Sequence, residues 1–149
     1  MPNRPYLGRM VDDAIAMFKP HVSGTEGAVS ANNPYAAEAG LEILKAGGNA
    51  FDAACAISLV LGVVEPYHSG IGGGFHVFYD KKPDAFHAMD ARGVAPKNAY
   101  QDMFLDKNGD VDLKLTEFSG RSVAVPALYR AMDNLLNQYG TMTWEQVSA

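Results

Sequence analysis

The chain has 149 residues, 48% of them hydrophobic and 19% charged, with a net charge of −5 at pH 7. This composition is enough for one ordinary core and excludes a disordered or fibrous chain. The twelve basic residues are scattered, only Lys81 and Lys82 being adjacent, so no cationic stripe exists to neutralise a phosphate backbone and nucleic acid is not an expected partner.

The opening residues, 1–26, are polar and irregular in pattern, and one incomplete domain is expected over 27–149. Arg4 and Arg9 precede no apolar run of signal-peptide length because Asp12 and Asp13 interrupt it, so a cytoplasmic location is expected. The stretch "AVSANNP" reads as a short strand leading into a helix, with Asn33 as N-cap and Pro34 at the first helical position. Ala37, Leu41 and Leu44 would then form one apolar face, and Gly47 with Gly48 the stop.

Asn49 is placed to cap a second helix, about Ala50 to Val64, with Asp52 in the reciprocal capping-box position. That helix is apolar nearly all round, which predicts a position between other layers. Its charge-free run, Ala53 to Val64, is well short of the roughly 20 residues needed to span a membrane. The single cysteine, Cys55, falls inside it and reads as a small buried hydrophobe; no disulfide can form within the chain.

Pro66 should end the helix. After the glycines, "FHVFYD" and "AFHAMDAR" read as a strand and its returning partner around a "KKPD" turn. "SVAVP" reads as another short strand. "ALYRAMDNLLNQYG" is an amphipathic helix with Leu128, Met132, Leu135, Leu136 and Tyr139 on one side and Gly140 as the stop. Thr143 and Gln146 then form a capping-box pattern close to the last residue, which reads as a longer polypeptide cut or split there.

The stretch "EPYHSGIGGGF" contains Gly70, Gly72, Gly73 and Gly74. A phosphate-binding loop requires strand, glycines, then a helix whose N-terminal amides face the anion. Here the helix comes first and the strand follows, so the glycines are read as permitting positive φ and close backbone approach at the entrance to a strand. Glu65, His68, His76 and His87 offer no i, i+4 pair for a metal. In "DKNGDVDLKLTE", Asp106, Asn108, Asp110 and Glu117 match calcium-loop positions, but Val111 stands where the sharp turn needs glycine, and Gly109 fits a plain Asn-Gly turn. Neither a metal nor another cofactor is expected.

Four stretches, A-x-E-A-G-L-x-I-L at Ala36 to Leu44, G-G-N-A-x-D-A-A at Gly47 to Ala54, L-G-V-V-E-P at Leu61 to Pro66 and S-G-I-G-G-G at Ser69 to Gly74, together with "MDARGVAPKNAYQDMF", closely resemble the N-terminal part of the gamma-glutamyltranspeptidase family. The resemblance runs from about Gly27 to the C-terminus. It implies an α+β fold, namely a fragment of the α/β/β/α sandwich of the N-terminal-nucleophile hydrolases. In such proteins a precursor cleaves itself and the newly exposed threonine of the small subunit attacks the γ-glutamyl amide. Thr25, Thr116, Thr141 and Thr143 lack that context, so no catalytic residue is assigned in this chain. The expected partners are the remaining large-subunit segment, the small catalytic subunit and a small carboxylate substrate, with neither nucleic acid nor membrane.

The resemblance carries over one site residue. "DARGVAP" matches the family's D-x-R element and places Arg92 where an arginine grips the α-carboxylate of the γ-glutamyl group. A guanidinium fork suits that task because it binds a carboxylate bidentately. Gly93 departs from the acidic residue found there in many transpeptidases, which keeps glutaryl-type acylases and oxamate amidohydrolases as alternatives. A catalytically silent scaffold that binds small carboxylates is the alternative from another class.

Overall fold

The computed structural model describes residues 22–70, 72, 74–79 and 86–149. The chain divides into two units, Met1–Ser30 and Ala31–Ala149. In the first, residues 22–30 carry neither helix nor strand. The expected strand at "AVSANNP" is not formed among the described residues, because a strand exists only through a ladder partner and none is present beside it.

In the second unit, helix α1 spans Pro34–Lys45 and helix α2 spans Ala50–Val64. The Asn33 side chain accepts from the Tyr35 N–H at 3.0 Å, and Pro34 sits where a missing N–H costs nothing. At the far end Gly47 takes φ of +90°, open to glycine at little cost. Its N–H and that of Gly48 bond to the Leu44 and Ile43 carbonyls at 3.1 and 3.0 Å, satisfying two otherwise orphaned acceptors. The buried face is not the expected one. Ala36, Gly40 and Ile43 are buried, whereas Leu41 is exposed and Ala37 and Leu44 are half-buried. Small residues at the contact let the α1 and α2 backbones approach, and that packing outweighs the larger apolar side chains one position along.

The capping box of α2 forms as the spacing requires. Asn49 Oδ1 accepts from Phe51 N–H at 2.8 Å, and Asp52 Oδ2 accepts from Asn49 N–H at 2.8 Å. Helix α2 reaches the core through Ala53, Cys55 and Ala56, with Phe51 and Leu59 packed against it, and its end is open, Val63 being 79% exposed. It packs against α1 and against the two helices near the C-terminus, Leu128–Tyr139 and Trp144–Ser148, so among the described residues it lies between other helices as expected. Pro66 both follows the end of α2 and opens a single-turn helix, α3, at Pro66–Ser69. Among the described residues no helix is long and apolar enough to cross a membrane.

Strands β1, Gly74–Tyr79, and β2, Phe86–Ala91, pair antiparallel in the register Gly74 to Ala91 through Tyr79 to Phe86. The expected hairpin is thus present, and its "KKPD" turn lies outside the described residues. Beyond it come α4, Leu113–Phe118, and a 3-10 turn, Gly120–Ser122. "SVAVP" forms no full strand: Val125 makes an isolated antiparallel bridge to Val94, because only one residue on each side is in register.

Helix α5, Leu128–Tyr139, buries Leu128, Ala131, Met132, Leu135 and Leu136, and Tyr139 stacks on Phe51 with ring centroids 5.0 Å apart. Leu128, Met132, Leu135 and Leu136 pack with Ile43, Ala53, Cys55, Ala56 and Val147 into one core, with Tyr139 against it. Helix α6, Trp144–Ser148, opens on the expected box, Thr143 N–H donating to Gln146 Oε1 at 2.9 Å. Cys55 lies in the core 3.8 Å from the Met132 carbonyl, and burial, with the nearby Asp52 charge, pushes its thiol up to about 12. That is the inert, buried cysteine expected.

Candidate substrate-binding site

Strand β2 delivers the site. Along its exit Ala88 is exposed, Met89 half-buried, Asp90 exposed, Ala91 buried and Arg92 exposed, the alternation of a strand with one face on the core. Ala91, at 1% exposure, pins this end of the strand against the core. Arg92 therefore leaves the protein on the outer side, and among the described residues its guanidinium makes no hydrogen bond or ion pair.

Three further contacts hold the loop that carries it. Asp90 Oδ1 accepts from the Arg92 N–H at 2.8 Å. Val94 and Val125 exchange both backbone bonds, at 3.2 and 2.9 Å. Between them Gly93 is packed so closely that a Cβ there would stand 3.0 Å from the Ala124 Cβ and 3.2 Å from the carbonyl oxygens of Gly72 and Val125. At Gly93 it is tight space rather than a positive φ that favours glycine in this chain.

This bears on the glycine-rich corner. Backbone approach is real at Gly93, where Gly72 contributes its carbonyl, and at Gly70, 3.2 Å from the Pro66 carbonyl when given a Cβ. Among the described residues a Cβ on Gly72 would meet nothing within 4 Å and one on Gly74 only an ordinary contact with Leu128, and neither takes a positive φ, so the described residues do not explain glycine at these two positions. Gly73 lies outside the described residues.

Glu65 is buried at 5% exposure, its carboxylate accepting from Asn32 Nδ2 at 3.1 and 3.3 Å, which ties the start of α1 to the end of α2. His68 is exposed, its ring 4.8 Å from that of Tyr67. The side chains of His76 and His87 lie outside the described residues. Among the described residues no three His, Cys, Asp or Glu side chains are grouped to hold a metal. Asp106 Oδ1 is taken by the N–H groups of Asn108 and Asp110 at 2.7 and 3.0 Å, so the acidic loop closes on itself as a turn.

The threonine hydroxyls have structural partners. Thr116 donates to the Leu113 carbonyl, Thr141 to Asp52, and Thr143 accepts from Gln146 N–H; Thr25 is exposed. Sequence reasoning missed Asp90, whose signal is an Asp two residues before the residue it caps, the Asx-turn spacing. It also missed the second task of Asp52, described below.

The gamma-glutamyltranspeptidase family model matches residues 36–149. The chain is 42% identical over 130 residues to the glutathione hydrolase proenzyme of Bacillus subtilis strain 168, which covers 83% of this chain and 22% of that relative. It superposes on the crystal structure of Helicobacter pylori gamma-glutamyltranspeptidase with a TM-score of 0.80 and 39% identity, over 86% of this chain and 37% of the other. It is also similar to the cephalosporin acylase of Bacillus halodurans, with a TM-score of 0.59 and 31% identity, over 89% of this chain and 25% of the other. The chain thus spans well under half of each. Its mixed helices and hairpin are part of an α+β sandwich of the N-terminal-nucleophile hydrolase class. Within that class the chain belongs to the gamma-glutamyltranspeptidase family.

Proposed function

We propose that the chain is the N-terminal part of the large subunit of an enzyme that cleaves γ-glutamyl amides, and that Arg92 anchors the α-carboxylate of the acyl donor. The observation that carries this reading is the position of Arg92. It is exposed directly after a residue locked in the core, its guanidinium is unpaired among the described residues, and it stands within the stretch matched by the family. A planar fork held at a rigid strand end can bind a carboxylate bidentately and so orient an amide several bonds away.

The nucleophile in this reading is a threonine outside the chain. Its hydroxyl oxygen attacks the γ-carbonyl carbon, its own α-amine takes the proton, and the amine product leaves. The acyl-enzyme is then resolved by water or by an amino acid. The structural commitments of Thr116, Thr141 and Thr143 support a nucleophile elsewhere. The partners are the remaining large-subunit segment and the small catalytic subunit. No residue from 94 to 127 is buried, and Leu113 and Phe118 are 67% and 85% exposed, which supports a covering surface from such a partner.

Gly93 favours a second reading, a related acylase or amidohydrolase acting on glutaryl- or oxamate-type amides, because no acidic side chain follows Arg92 to hold an α-amine. The test is to assay the complete polypeptide that carries these residues with γ-glutamyl and glutaryl p-nitroanilides. Release of nitroaniline from the γ-glutamyl compound is expected. Release from the glutaryl compound alone would move the function to the acylase reading, and release from neither would leave a carboxylate-binding scaffold.

A further inference from the structure

We propose that Asp90 is a positioning residue for Arg92: its side chain holds the arginine's backbone so that the guanidinium is presented in one direction and left free for an anion. The inference rests on the reading of Arg92 as the carboxylate anchor. Its basis is the bond from the Arg92 N–H to Asp90 Oδ1, 2.8 Å long. The β1–β2 ladder ends at the pair Gly74 and Ala91, and Arg92 is the first residue beyond it. Asp90 supplies the acceptor for its N–H, and a charged acceptor makes this a strong bond of its kind.

Arg92 is consequently held from both sides. On its N-terminal side are the buried Ala91 and the Asp90 bond; on its C-terminal side are the packed Gly93 and the Val94–Val125 bridge. Little freedom remains to the backbone at Arg92, which fixes the direction of its Cα–Cβ bond.

The same geometry explains why the neighbouring carboxylate does not quench the arginine. Asp90 and Arg92 are two apart and both exposed, so a direct ion pair between them would compete with any bound carboxylate. The structure shows Asp90 bonded to the backbone N–H, with no ion pair to the guanidinium among the described residues. Binding sites work when such a fork is held within about 10–20° of its productive direction. Asp90 contributes that constraint without touching substrate.

The experiment compares Asp90→Ala, Asp90→Asn, Asp90→Glu, Arg92→Ala and the double variant Asp90→Ala/Arg92→Ala in the complete polypeptide. The donors are γ-glutamyl p-nitroanilide and butyryl p-nitroanilide, which lacks a carboxylate. Asp90→Ala should raise KM for the γ-glutamyl donor about tenfold with kcat within about twofold, the pattern of lost ground-state binding. Asp90→Asn should stay near wild type because its Oδ1 still accepts, whereas Asp90→Glu should resemble Asp90→Ala because the longer side chain breaks the turn although the charge remains. The double variant should be no worse than Arg92→Ala, and turnover of the butyryl donor should be indifferent to the three Asp90 single variants.

Three results would overturn the positioning role: equal losses on both donors, additive losses in the double variant, or an Asn variant weaker than the Glu variant. The last comparison needs no alanine variant to fold. If Arg92→Ala lowers γ-glutamyl turnover while every Asp90 variant behaves as wild type, only Asp90 is eliminated. If Arg92→Ala itself is without effect, the carboxylate-anchor reading fails and the positioning role with it.

Discussion

The carboxylate of Asp52 accepts from both the backbone N–H and the hydroxyl of Thr141, at 3.1 and 2.8 Å across a sequence separation of 89 residues. The same group caps α2 through Asn49 N–H and takes the Met142 N–H at 3.3 Å. A fully buried charge is thereby satisfied entirely by hydrogen bonds, and it locks the turn between α5 and α6 onto the start of α2. Asp52→Ala removes a cap worth about 1 kcal/mol and leaves at least one dry donor at about 1–3 kcal/mol. A loss of about 3 kcal/mol is expected in urea unfolding of the complete polypeptide; an unchanged midpoint would mean that water replaces the carboxylate.

The pH dependence of that contribution has a definite sign. Burial alone would raise the Asp52 carboxyl, but hydrogen bonds from Asn49, Thr141 and Met142 outweigh it and hold it below its ordinary value of 3.8. Above the unfolded pKa both states are ionised and the stabilisation is complete. As pH falls the unfolded state takes up the proton first, and the contribution is gone once the folded pKa is passed. The stability gap between wild type and Asp52→Asn should therefore be constant above about pH 5 and shrink below about pH 4. A gap that widens in acid would contradict the depressed value.

Gly140 illustrates steric demand at the same junction. Its φ is −71°, open to any residue, yet a Cβ there would stand 2.7 Å from both Asp52 Oδ1 and the Leu136 carbonyl oxygen. Gly140→Ala should destabilise by about 1–3 kcal/mol, the usual range for overpacking. Gly93→Ala should cost less, since one of its crowding atoms is the Ala124 Cβ, and Ala124→Gly should recover part of the loss. Thermal midpoints of the two single variants and the Gly93/Ala124 pair decide the matter; no recovery in the pair would place the strain on the backbone carbonyls.

Arg92→Lys separates charge from shape. If the donor carboxylate is held by the planar fork, lysine keeps the charge but not the two parallel bonds. kcat/KM for the γ-glutamyl donor should then remain well below wild type, by roughly tenfold for each 1.4 kcal/mol not restored. Full recovery in the lysine variant would reduce the contact to a point-charge attraction. If the chain is cut from a self-cleaving precursor as proposed, that cleavage, followed by gel electrophoresis, should proceed in wild type and variant alike, because the proposed role of Arg92 is toward the donor.

The sequence by itself determined the parts whose physics is local. Asn33 with Pro34, Asn49 with Asp52 and Thr143 with Gln146 set helix starts through bonds spanning two or three residues. The apolar side of α5 followed from spacing alone, the pairing of β1 with β2 from strand-forming residues on either side of a turn, and the family was legible in its motifs. Only the tertiary structure decided that α1 buries Ala36, Gly40 and Ile43, that Val125 bridges Val94 without extending into a strand, and that Gly72 closes on Gly93. It alone joined Asp52 to Thr141 and Glu65 to Asn32. These depend on which surfaces meet across tens of residues, and a helical repeat or a glycine run is compatible with several such meetings until packing selects one.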